Sequence, residues 1–107
     1  MRATIITVDG DKRQAEILSF VGARNLICNQ GYNSPLEIIR LEDGEVLLLD
    51  EEGKLKNLPM NSIATEMAHK SEAIFPSDYI CGDVIFISNI NEFDDLPYKI
   101  EQKKESE

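Results

Sequence analysis

Leu47, Leu48 and Leu49 follow Val46 with no polar residue between them, and few folds accept such a run in a chain this short. Side chains of a strand alternate between two faces, so an unbroken apolar strand must be covered on both. This strand is therefore expected to be central. Leu36 to Leu41 precedes it, and Glu42-Asp43-Gly44 joins the two as a hairpin, because Asp and Gly accept the positive φ of a tight turn. Pro35 begins the first arm, where a missing N–H does least harm.

Other elements read from local chemistry. Ala3 to Val8 is rich in β-branched residues and meets a turn at Asp9-Gly10-Asp11, from which Arg13 to Leu18 returns as a second strand. Ser19 is placed to cap a helix that carries Phe20, Ala23, Leu26 and Ile27 at helical spacing, with Gly31 as its stop. Gly22 weakens that helix by about 1 kcal/mol relative to alanine. After the polar turn Asp50 to Lys54, Asn61 is an apt cap for a helix running from Ser62 to His69. Ile63, Met67 and Lys70 share one of its faces, which is expected to bury the first two and leave Lys70 wet. Val84 to Ile87, entered through Gly82-Asp83, closes the set as a strong strand.

These elements give an α+β fold: a mostly antiparallel sheet of four to six strands, with one or two helices covering a face. The hairpin from Leu36 to Leu49 and the strand Val84 to Ile87 are expected at its centre. Residues 1–88 form a single domain on this reading, and 89–107 an acidic C-terminal extension, partly frayed.

Charge narrows the partners. The chain holds 20 acidic against 11 basic side chains, a formal charge of −9. Proteins held to a duplex by counterion release need Lys and Arg, so direct nucleic-acid binding is disfavoured. An acidic surface suits solubility, a basic partner, or imitation of a phosphate backbone. Cys28 and Cys81 lack CxxC spacing and sit among apolar residues, which predicts buried free thiols. No apolar run approaches the ~18 residues of a membrane span, and the chain enters a strand at once rather than a signal sequence. A cytoplasmic protein, of a cell or a host cell, is the expectation.

Candidate chemistry is sparse. The cluster Glu42, Asp43, Glu45, Asp50, Glu51, Glu52 lacks the alternating ligand spacing of a calcium loop, so solvated hairpin ends are expected there rather than a metal. His69 is the only histidine and has no nucleophile-elbow pattern to serve. Phosphate-loop and zinc motifs are absent from the sequence. No cofactor and no catalytic residue are expected. Phe93, Leu96, Pro97 and Tyr98 form an apolar segment among acids, suited to docking on a partner or on its own domain.

Gly31-Tyr32, Leu36 to Arg40, Leu41-Glu42-Asp43-Gly44, Leu47 to Asp50, Glu51-Glu52-Gly53-Lys54-Leu55 and Leu58-Pro59-Met60-Asn61 together resemble the family called domain of unknown function 3846. Ile80-Cys81-Gly82-Asp83-Val84-Ile85-Phe86-Ile87 is similar to its closing strand. The resemblance covers about half the chain. It departs at Met60, where a second Pro is common, and finds no counterpart between Leu18 and Gly31 or past Ser88. It implies a setting in phages, plasmids and other mobile elements, often near anti-restriction genes, and carries over no catalytic residue.

Two functions follow as expectations. The first is an accessory protein that inhibits a host defence system by binding a basic effector, with its carboxylates standing in for nucleic-acid phosphates. Its contacts would be Glu42, Asp43, Glu45, Glu51, Glu52, Glu92, Asp94 and Asp95. The second is a sponge for a nucleotide-like signal, held at the start of the second helix by Lys54, Lys56, Leu58 and Asn61. An oligomer would favour this second reading, and an enzyme is the least expected outcome.

Overall fold

The computed structural model describes residues 1–28 and 35–90. It contains the strands β1 (Arg2–Ile6), β2 (Lys12–Glu16), β3 (Leu36–Arg40), β4 (Val46–Asp50) and β5 (Val84–Ile87), with the helices α1 (Phe20–Ile27) and α2 (Ser62–Lys70). All five strands form one antiparallel sheet in the order β2-β1-β5-β4-β3. The α+β expectation holds.

Both hairpins are where the turn residues put them. Gly10 takes φ +92° between β1 and β2. Between β3 and β4, Asp43 and Gly44 both take positive φ, 53° and 84°, and Glu45 N–H donates to Glu42 O. That is the mirror-image turn whose twist matches two antiparallel strands. Leu41 N–H reaches Glu45 O, so Glu42 is an extra residue in the ladder, a bulge at the hairpin tip.

The last strand is inserted in the middle. β5 pairs with β1 on one side and β4 on the other, so it welds two local hairpins into one sheet. β4 is interior and buried along its whole length, as its apolar run demands. β3 is not central as expected but an edge strand, because β4 finds its second partner in β5.

The helices lie on opposite faces rather than covering one. Val46 and Leu48 join Ile5, Ile85, Ile87, Ala23 and Ile27 on the α1 side. Leu47 and Leu49 join Ile6, Ile39, Val84, Ala64 and Ala68 on the α2 side. The two-residue alternation of β4 therefore feeds two separate cores. Ile90 is also buried in the α1-side core and its N–H donates to Gly44 O, so packing extends two residues past the boundary placed at 88.

Both caps are as read. Ser19 Oγ accepts from Gly22 N, and Asn61 Oδ1 accepts from Ala64 N. α2 buries Ala64, Thr65 and Ala68, whereas Ile63 and Met67 are only half-buried beside the core. Small residues on this face let the helix axis approach the sheet, which displaces the larger ones to its flank. The expected stop of α1 at Gly31 lies outside the described residues; the helix itself ends at Ile27.

Candidate functional site

Three of the segments that carried the family resemblance, those with Gly53, with Leu58 to Asn61 and with Ile80 to Gly82, meet at one junction. Asn61 is fully buried, and its Nδ2 donates to Ile6 O and Gly82 O, each at 2.9 Å. Gly82 N–H donates to Pro59 O and Asn61 N–H to Ile80 O, so the Leu58 to Asn61 loop runs alongside Ile80 to Gly82. A Cβ at Gly53 would lie 2.9 Å from Cys81 O, closer than real side chains come. These motif residues lock β1, α2 and the entry to β5 together.

That placement bears on the ligand residues expected at the α2 N-terminus. Asn61 spends its amide on its own chain. Lys54 Nζ bonds the Asp78 carboxylate and sits 4.4 Å from the centre of the Tyr79 ring. Lys56 Nζ is 2.6 Å from Asp50 Oδ2. Both lysines are raised above the usual range, each chiefly by its hydrogen bond to a carboxylate. Lys56 and Leu58 line a cavity of about 190 Å³ with Asp50, Asp83 and Gly82, while Lys54 belongs to a different one. Ligand sites usually run to roughly 300–1,000 Å³. An anion here would meet two carboxylates and a lysine already paired.

Asp50 is a correction to the sequence reading. It was grouped with solvated hairpin ends, yet it is 3% exposed, because it still lies in the ladder opposite Leu36. Its Oδ1 accepts from Glu52 N and its Oδ2 from Lys56 Nζ. Cys28 and Cys81 are free and buried. Burial, then the charge of Asp50, pushes the Cys28 thiol up to about 11, which makes it a poor nucleophile.

The remaining acids fall into two groups. Glu42, Asp43 and Glu45 sit at the tip of the β3–β4 hairpin, whereas Glu51 and Glu52 follow the far end of β4. Five strand residues separate the groups, a span of roughly 17 Å at ~3.4 Å per residue. Glu92, Asp94 and Asp95 lie outside the described residues, as does the segment with Phe93, Leu96, Pro97 and Tyr98. Among the described residues no group of three His, Cys, Asp or Glu is arranged to hold a metal. No described helix is long and apolar enough to cross a membrane.

A third and larger concavity was not anticipated. A groove of about 920 Å³ runs along the outer side of β3, between Glu37 to Arg40 and the segment Glu72 to Asp78 that leaves α2. His69 forms part of its wall, with its Nε2 N–H donating to Asp78 O at 2.9 Å. Phe75 is 79% exposed there. Glu37 keeps its proton above the usual glutamate range, first because it is partly desolvated and then because Glu51 and Asp78 repel its charge. An apolar Ala73-Ile74-Phe75 immediately before a Pro76 turn was the sequence signal for this wall.

Neither a curated protein nor a solved structure matches the chain. The family model for the domain of unknown function DUF3846 matches residues 3–106, so it reaches across Leu18 to Gly31 and past Ser88, where the motifs alone found no counterpart. The chain, whose Gly53, Leu58 to Asn61 and Ile80 to Gly82 motifs meet at the Asn61 junction, belongs to the DUF3846 family.

Proposed function

We propose that this protein acts by binding a basic partner, and that in a mobile-element setting the partner is a host defence protein whose nucleic-acid groove it occupies. One observation carries the reading: the lysines nearest the acidic segments are tied to their own carboxylates, while Glu37, Glu42, Asp43 and Glu51 remain exposed. Among the described residues no salt bridge neutralises these four. Their field survives at the surface and favours a cationic partner.

The spacing of the charges suits the same reading. About 17 Å between the two acidic groups corresponds to about five phosphates along one strand at ~3.4 Å each. A groove lined with Lys and Arg would be met at two points rather than by one dense patch.

The test is efficiency of plating. Cells carrying a restriction or CRISPR nuclease are challenged with phage, with and without this protein. Wild type is expected to raise plating at least tenfold, and a variant carrying Glu37→Gln, Glu42→Gln, Asp43→Asn and Glu51→Gln to return it to the control. Rescue that survives neutralisation of all four would overturn the carboxylate reading.

A further inference from the structure

We propose that the groove beside β3 takes an extended peptide segment of a partner protein, alternating apolar and Lys/Arg residues, which adds to the sheet as a sixth strand. This rests on the reading above that the partner is basic, and it names the element recognised.

The hydrogen-bond phase of β3 is fixed at both ends. Leu41 N–H donates to Glu45 O, and Glu51 N–H donates to Pro35 O. With the register Leu36↔Asp50 through Arg40↔Val46, alternation turns the backbone groups of Glu37 and Ile39 toward β4 and those of Leu36, Ile38 and Arg40 outward. No described strand pairs with that outer side. Ile38 stands at the middle of this edge. An incoming strand would lie about 4.8 Å away and bond first to its N–H and C=O.

The groove walls select the segment. Alternate side chains of an added strand would point to the α2 side, over Ala73, Ile74 and Phe75, where an apolar residue covers the exposed ring. Glu37, Glu72 and Asp78 line the same channel together with Arg40; Lys54 already answers Asp78, and Arg40 is itself engaged. Glu37 and Glu72 are left for a Lys or Arg. The segment from Glu72 to Asp78 stands as a wall beside the edge, which admits a single strand more readily than the edge of a second copy carrying the same wall.

The experiment uses an acetylated eight-residue peptide alternating valine and lysine. Its controls are the glutamate counterpart and a valine–lysine peptide N-methylated at alternate backbone amides. Binding is followed by titration calorimetry and by hydrogen exchange at the Ile38 amide. The valine–lysine peptide is expected to bind and protect Ile38. The N-methylated form should bind at least tenfold more weakly without protection, the glutamate form should not bind, and Phe75→Ala, on an exposed ring, should weaken binding. Equal affinity for the N-methylated peptide would overturn strand addition while leaving the basic-partner reading intact. No affinity for any valine–lysine peptide, alongside plating rescue that depends on the acids, would also overturn only the strand. Ile38 protection before peptide is added overturns the proposal too: if it grows with protein concentration the occupant is a second copy, and if it does not the chain covers its own edge.

Discussion

Lys56 Nζ lies 2.6 Å from Asp50 Oδ2, and this pair holds a carboxylate that is 3% exposed at the end of β4. Removing one partner of a buried pair costs about 3–5 kcal/mol, because the other charge is left without compensation. Here the Glu52 N–H still donates to Asp50 Oδ1, and Lys56 is partly exposed. Lys56→Met is therefore expected to lose about 2–4 kcal/mol in urea denaturation. Adding Asp50→Asn should recover part of that loss, since it removes the stranded charge. A loss within about 0.5 kcal/mol, the scale of an ordinary surface change, would show the pair contributes little.

Alkali should weaken the fold through two groups near this pair. The Lys56 amine is raised by its bond to Asp50, so its stabilisation is full below the ordinary lysine value of 10.5 and is lost as pH rises through the higher folded value. The Cys28 thiol, raised to about 11 from 9.0, keeps its proton in the folded state after the unfolded chain has released it. Stability consequently falls between those two values as well. Denaturation midpoints measured from pH 8 to 11 should decline, and Cys28→Ala should flatten the lower part of the decline. At pH 8 the native thiol should resist iodoacetamide, while the urea-unfolded chain reacts.

Asn61 separates a capping role from a bridging one. Alanine there removes the Ala64 cap, worth about 1 kcal/mol, and leaves two buried carbonyls without their donor. Aspartate keeps an oxygen for the cap but sets a second one against Ile6 O and Gly82 O. If the bridge matters more, Asn61→Asp should be at least as unstable as Asn61→Ala at neutral pH, by about 3 kcal/mol or more. It should also recover toward acid, as the carboxyl gains a proton it can donate. A near-native Asn61→Asp would leave only the cap.

Much of the fold was legible because its signals are local. The caps at Ser19 and Asn61, the Asp43-Gly44 turn and the apolar run of β4 each state their requirement within a few residues. The strand order was not, because nothing local in Val84 to Ile87 says that it enters between β1 and β4 and pushes β3 to the edge. Asp50 was misread for the same reason: its burial comes from pairing with Leu36 and from Lys56 folding back, six residues on. The acidic segments were visible in sequence, but their separation onto opposite ends of a hairpin is a property of the ladder. The groove depends on that edge position, so only the apolar Ala73-Ile74-Phe75 before Pro76 hinted at it.

Glu37 is placed so that stability and binding should oppose one another. Its folded-state affinity for a proton is raised by partial burial and by Glu51 and Asp78, so it destabilises once ionised. The sign follows from linkage: stability is highest below the ordinary glutamate range and falls as pH rises through the raised folded value. At neutral pH Glu37→Gln should therefore raise the melting temperature and flatten its decline from pH 4 to 7. The side chain is exposed to solvent, which holds the gain to about a few tenths of a kcal/mol. The same change removes a carboxylate from the channel meant for a Lys or Arg. Affinity for the valine–lysine peptide should drop roughly three- to tenfold, each tenfold being about 1.4 kcal/mol, and the salt dependence should soften. A variant both more stable and an equally good binder would place the cation elsewhere along the sheet edge; a more stable but weaker one would identify Glu37 as a charge kept for the partner.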